Sequence, residues 1–265
     1  MLRSKSRSAF TLVELLVVIG IIALLISILM PSLRKAREAA IGVTCLSQLR
    51  QIGMASRMYA NDFSNVLPGP DTYYGTDSPI GFLEWPDYLR GQRGTVSFGP
   101  TYIKTATLRP FHCPKNNETT PGKYGMYFTT FDSSWSPNEP ARFTKITNLA
   151  QSKTFHGYKL NKIRGVTDYM MFGCTSSNKL GDGNLVDKGT SMFRSSGPWS
   201  GGGEATRSLW AAHSNRVNGA FADGHAESCD AGRLLQCSNY NGTGTPVRPR
   251  GITYWKDEFF REVFK

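Results

Sequence analysis

Acid is scarce in this chain: 20 Asp and Glu stand against 31 Lys and Arg, for a formal net charge of +11 over 265 residues. Charged residues make up only 19% of the chain and hydrophobic ones 40%, which excludes the composition of a disordered chain. Arg3, Lys5 and Arg7 fall in the first nine residues, which hold no acid, leaving 11 − 3 = +8 for the rest. A surplus of that size attracts nucleic acid or anionic lipid weakly. It describes a basic surface better than it describes a nucleic-acid-binding protein. Catalytic signatures are missing as well. There is no C-x-x-C, no His-Glu-x-x-His, no Walker A loop and no Gly-x-Ser-x-Gly elbow, although Ser214 follows His213. The glycine-rich stretch Ser195–Gly203 lacks a phosphate-loop lysine and reads as a loop. With so few carboxylates, a paired-acid hydrolase has no support. The chain does not read as an enzyme.

What is present begins at the N-terminus. Residues 10–30, FTLVELLVVIGIIALLISILM, are apolar except for Thr11, Glu14 and Ser27. Twenty-one residues are about enough to cross a ~30 Å hydrocarbon core as a helix. The basic residues before the run would stay on the cytoplasmic side. A secretory signal peptide has an apolar core of only about 7–15 residues, shorter than this one. The segment AREAA (36–40) imitates a signal-peptidase site, so an exported soluble domain stays open as the alternative. Glu14 is costly in a membrane, on the order of 1–3 kcal/mol, and calls for a cationic partner or for water at the interface.

A basic leader, a small residue and then Phe10-Thr-Leu-Val-Glu14-Leu resembles the prepilin-type cleavage and methylation motif of type IV pilins and type II secretion pseudopilins. The resemblance implies cleavage between Ala9 and Phe10 by a prepilin peptidase, N-methylation of Phe10, and pairing of Glu14 with a neighbouring subunit's amine during assembly. In that family the residue before the cut is usually Gly, and here it is Ala9. The implied partners are the peptidase, other pilin or pseudopilin subunits, and the inner membrane, with the C-terminal domain on its far side. Elsewhere, His213 followed by nine residues and Asp223-Gly224 resembles the H-x9-D-G element of a large prepilin-like subfamily. Cys45-Leu-Ser-Gln-Leu-Arg-Gln-Ile-Gly, Phe111-His-Cys-Pro114 and Tyr124-Gly125-Met126 are similar to that subfamily too.

Beyond Pro31, Leu33, Ala36, Ala40, Val43, Leu46, Leu49, Ile52 and Ala55 recur near helical spacing, with Arg34, Lys35, Arg37, Gln48, Arg50 and Arg57 opposite. This predicts a helix over 10–62, about 80 Å long at ~1.5 Å per residue, loosened or bent at Pro31. The expected organisation is a leader over 1–9, a helix over 10–62 with 10–30 transmembrane, and a globular domain over 64–265. In that domain short aromatic runs alternate with turn clusters, so the fold class is α+β, with a β-rich pilin-like domain after the helix.

Asp223-Gly224 predicts a tight hairpin with positive φ at both turn positions. His213, Asp223 and His225 together suggest a zinc-type ligand set. The plainer assignment has Asp223 making the turn and both histidines hydrogen bonding, and it leaves the chain with no metal. Asp182-Gly-Asn184 and Asp187 offer oxygens for calcium without an EF-hand pattern. The five cysteines suggest disulfides Cys229–Cys237 and Cys45–Cys113 with Cys174 free, although spacing alone leaves connectivity open. Trp135, Trp199, Trp210, Trp255, Tyr73 and Tyr74 could line a sugar site on an anchored or exported ligand-binding domain. Large aromatics more often fill a core.

Overall fold

In the computed structural model the described residues are 12–69, 71–73, 82–93, 96–97, 99–105, 109–115, 124–127, 143–148, 153–163, 165–176, 192–193, 208–237, 254–256 and 262–264. The first element is one helix, Leu12–Asp62, continuous through Pro31. Proline offers no N–H to the ladder, so one backbone hydrogen bond is missing there while the helix continues. The hydroxyls of Ser27 and Ser32 donate to the carbonyls of Leu24 and Leu29, each at 2.7 Å, so neither is left unsatisfied on an apolar helix. Ser64 and Asn65 end the helix in left-handed conformation, at φ 55° and 61°. The Asn65 N–H closes the last turn on the Ala60 carbonyl at 2.7 Å.

The chain divides into two compact units, 1–40 and 41–265, with the division inside the helix. In the first unit every described residue from Leu12 to Ala40 is exposed. In the second, the helix buries Cys45, Leu49, Ile52, Gly53, Ala55, Ser56 and Ala60. That stripe keeps Leu49, Ile52 and Ala55 of the expected one but leaves Val43 67% exposed. The buried arc is rotated because it admits small residues that a hydrophobicity pattern undervalues, Gly53 and Ser56 among them. At Gly53 a Cβ would lie 2.9 Å from the Gly224 carbonyl oxygen, so the helix and a turn of the domain meet there at backbone distance.

The central sheet has five strands in the order Met192–Phe193, Gly125–Tyr127, Met170–Gly173, Val217–Phe221 and Ala226–Cys229. Only the first pair is parallel. Met170–Gly173 and Val217–Phe221 are buried along their whole length, as inner strands covered on both faces should be. An antiparallel three-stranded sheet joins Val66–Pro68, Lys153–Lys159 and Phe143–Asn148. A four-stranded sheet joins Thr175–Ser176, Ser208–Trp210, Tyr254–Lys256 and Glu262–Phe264. The short helix Trp85–Arg90, begun by Pro86 and ended by Gly91 at φ 63°, delivers Trp85 to the core. There the indole packs on Phe172 at 4.7 Å and Phe111 at 5.5 Å between ring centroids. The class is α+β: a long apolar helix followed by a globular region of mostly antiparallel sheets.

Candidate functional site

Ala9 and Phe10 lie outside the described residues. Glu14 sits in the first turn of the helix, where a carboxylate complements the positive end of the helix dipole. The apolar residues that follow it, among them Leu15, Val17, Ile19, Ile22, Leu25 and Leu29, are all exposed in the isolated chain. In water such a surface costs roughly 25 cal/mol per Å², so a membrane or other apolar helices must cover it.

In the second unit, chemistry-bearing side chains converge at one buried point. Cys45 comes from the helix, and Cys113 from the loop after the single turn Arg109–Phe111. Cys174 follows the inner strand Met170–Gly173, and His213 precedes Val217–Phe221. Their ligand-type atoms all lie within 4.8 Å of one another. Cys45 Sγ is 3.2 Å from Cys174 Sγ; His213 Nε2 is 3.3 Å from Cys113 Sγ and 3.7 Å from Cys174 Sγ. None of the four residues is more than 7% exposed.

Local structure explains how they meet. Ser214 and Asn215 take φ of 52° and 58°, a type I′ turn that closes His213 on Arg216 through two backbone hydrogen bonds of 3.1 and 3.3 Å. The turn fixes the imidazole against the sheet. The Cys174 N–H donates to the Asn218 carbonyl at 3.1 Å, and the Asn218 side chain donates to the Gly42 carbonyl at 3.1 Å. Strand, cysteine and helix are thereby held in register. The Tyr124 hydroxyl donates to Gln48 Oε1 at 2.8 Å, and the Tyr124 N–H anchors the Cys113 loop through the Phe111 carbonyl at 2.7 Å.

The thiols of the cluster shift one another's titration. Burial pushes the Cys45 thiol up, but hydrogen bonds from Cys113, Cys174 and His213 outweigh it and hold Cys45 well below its ordinary value. Cys174 is pushed well above the ordinary value by burial and by hydrogen bonds to Cys113 and Cys45. At Cys113 the hydrogen bond from Cys174 pulls down, while Cys45 and burial outweigh it and raise the thiol. Burial and the charge on Cys45 raise Tyr124. The three thiols therefore titrate as one coupled set, not as independent groups.

The five cysteines are all buried free thiols, so neither expected disulfide is formed. The pairing Cys45–Cys113 with Cys174 free is corrected: all three sulfurs share one site with His213, which a single bridge would break up. Cys229 and Cys237 flank the helix Ala231–Gln236, and their thiols turn to Glu227 Oε1 at 3.9 Å and the Arg233 carbonyl at 3.6 Å. Burial pushes the Cys229 thiol up and Cys237 up to about 12, which disfavours the thiolate at both.

The other suggested ligands, Asp223 and His225, are occupied with each other. Asp223 Oδ1 accepts the His225 N–H at 3.0 Å and lies 2.6 Å from His225 Nδ1, and the His225 ring stacks on Phe221 at 4.5 Å. The hairpin here is real, pairing Val217 with Cys229 through Ala220 with Ala226. Its loop is not the expected turn. Only Gly224 has positive φ, 95°, and the Phe221 N–H closes the loop on the His225 carbonyl at 2.9 Å. This is the three-residue loop with glycine in left-handed conformation. Trp210 is 3% exposed and belongs to the core. Trp135, Trp199, Tyr74 and the Asp182–Asp187 stretch lie outside the described residues, as do the side chains of Tyr73 and Trp255.

Residues 4–30 match the prokaryotic N-terminal methylation motif. The match does not reach His213 or Asp223-Gly224. No curated protein and no solved structure matches the chain.

Proposed function

We propose that this chain is a structural, non-enzymatic filament subunit, a pseudopilin or minor pilin of a type II secretion or type IV pilus-like machine. The chain carries a prepilin-type N-terminal methylation motif on a long apolar helix, features of a membrane-anchored prepilin substrate. The observation that carries the reading further is the exposure of every described residue from Leu12 to Ala40. The apolar surface exposed from Leu12 to Met30 needs lipid first and neighbouring helices later. On this reading the peptidase removes residues 1–9, Phe10 is methylated, and Glu14 pairs with the new amine of a neighbouring subunit. The carboxylate then stabilises the assembled state, because an unpaired charge at that depth is costly. The domain after Ser64 faces away from the cytoplasm and displays the subunit's outer surface.

Intact mass and N-terminal sequencing of the membrane-extracted native protein test this. The expected chain begins at N-methylated Phe10. A chain beginning near Ile41 would make the domain a soluble exported one, and an intact Met1 would remove processing from the account. Glu14→Ala should leave cleavage intact and cut incorporation into filaments by roughly tenfold or more, the equivalent of one lost ion pair in apolar surroundings. Unchanged incorporation would refute the pairing.

A further inference from the structure

We propose that Cys45, Cys113, Cys174 and His213 form a closed structural zinc site that clamps the helix from Ile41 onward to the core of the sheet domain. The inference is independent of filament assembly, because all four residues lie in the second compact unit.

The donor set comes first. Three cysteine sulfurs and one imidazole nitrogen make up one of the standard ligand combinations of four-coordinate structural zinc. Calcium and magnesium prefer oxygen and are poorly served by sulfur. The geometry comes second. Zinc–sulfur bonds of about 2.3 Å and zinc–nitrogen bonds of about 2.0–2.1 Å in a tetrahedron place sulfurs roughly 3.8 Å apart and sulfur and nitrogen roughly 3.6 Å apart. The observed separations are 3.2, 3.3 and 3.7 Å, and no ligand atom is more than 4.8 Å from another. Disulfide bonding would need about 2.05 Å between two sulfurs and would leave the third thiol and His213 buried without a purpose.

Burial comes third. Each ligand is shielded from water, and with four ligands already present no coordination position is open to a substrate, so the site is structural and not catalytic. His213 presents Nε2 to the sulfurs, with Nδ1 buried on the Gly42 side of the ring. Zinc binding displaces the thiol protons: three thiolates and a neutral imidazole around one Zn2+ leave a net charge of −1, far less than the −3 of three bare thiolates that burial would oppose. The four ligands come from four separate segments, so one ion ties the helix, the Cys113 loop, an inner strand and the His213 turn together.

The test uses the full-length chain in detergent, purified without chelator or a polyhistidine tag. Elemental analysis should give about one zinc per chain, and X-ray absorption at the zinc edge should give three sulfurs and one nitrogen. Cys174→Ser and His213→Ala should retain at least roughly tenfold less zinc, while Cys229→Ser and Cys237→Ser keep it. His213→Cys supplies a fourth sulfur and should keep the metal with a four-sulfur spectrum, which separates loss of a ligand from loss of the fold. The reduced wild-type chain given cobalt(II) should develop the visible bands of tetrahedral thiolate coordination. A chain lighter by two hydrogens with Cys45 bridged to Cys113 or Cys174 would overturn the proposal. So would failure of the reduced chain to take up zinc or cobalt, or undiminished zinc in Cys174→Ser and His213→Ala. Copper in place of zinc on the same ligands would overturn the choice of metal.

Discussion

One helix, Leu12–Asp62, lives in two different environments, and the comparison between its halves explains most of this chain. From Leu12 to Ala40 every residue is exposed, and residues up to Met30 are almost purely apolar. From Ile41 the helix becomes an element of the domain, with Cys45, Leu49 and Ile52 fully buried. The first half is specified by composition alone, since any sufficiently apolar stretch of this length satisfies a membrane. The second half is specified by individual contacts, so its key positions are a cysteine, a glycine and a serine that composition would have ranked low. A lipid asks for an apolar cylinder. A packed core asks for particular shapes at particular depths.

The strongest way to sharpen this contrast is to strip the proposed zinc. Structural zinc sites contribute on the order of 10 kcal/mol or more to folding, so chelation of the full-length protein should lower Tm by roughly 10 °C or more. Hydrogen exchange should show protection lost around Cys45 to Ser56 while residues 12–30 stay protected in detergent. Loss spread equally along the whole helix would mean the two halves are one cooperative piece.

The reverse perturbation acts on the first half alone. Leu24, 62% exposed in the isolated chain, should tolerate Arg as far as the domain is concerned. In a membrane the same change costs about 3–4 kcal/mol. Membrane-fraction yield should therefore fall while Tm of the folded domain stays put. A matching fall in Tm would erase the distinction.

Three glycines on the helix sharpen it residue by residue. A Cβ at Gly20 meets nothing within 4 Å, at Gly42 it meets His213 Nδ1 at an ordinary 3.8 Å, and at Gly53 it meets the Gly224 carbonyl oxygen at 2.9 Å. Gly53→Ala should cost roughly 1–3 kcal/mol because backbone must move. Gly42→Ala should be neutral or stabilise by up to about 1 kcal/mol through helix propensity. Denaturant midpoints of the two variants moving in the same direction would contradict the close approach at Gly53.

How much of this was legible in the sequence follows from the same contrast. The apolar run, Glu14 and the helix ending at Asp62 were readable because each is a local signal of one residue type or one period. The α+β class was readable from turn clusters. The cluster of Cys45, Cys113, Cys174 and His213 was not. Its members are separated by 113 − 45 = 68, 174 − 113 = 61 and 213 − 174 = 39 residues, and no local metal motif has such spacing. Proximity in sequence instead suggested His213 with Asp223 and His225, two of which are held by each other in a hairpin loop. The one local clue was Ser214-Asn215, whose side chains tolerate the left-handed turn that aims His213. Asp223-Gly224 is the stronger local signal and does mark a hairpin, but the turn that positions His213 lies nine residues earlier, at Ser214-Asn215.

The smallest effect expected lies where the helix ends. The Tyr102 hydroxyl donates to Asp62 Oδ2 at 2.6 Å, tying the last turn of the helix to the segment after the Trp85 helix. Burial, then the hydrogen bond and charge of Asp62, push the Tyr102 phenol up to about 12 from an ordinary value near 10. A phenol raised in the folded state favours folding while it stays protonated. Its contribution is therefore fully present below pH ~10 and is lost as pH rises through about 12. Tyr102→Phe should cost about 1 kcal/mol or less at neutral pH, since the contact is partly exposed. The gap between wild type and variant should close over that alkaline window, read from chemical denaturation alongside tyrosinate absorbance. A constant gap would show that the Asp62 contact does not stabilise the protonated phenol. The end of the helix would then be held by the left-handed turn at Ser64–Asn65 and the stacking of Tyr59 on Phe63 at 4.4 Å, without help from a side-chain charge.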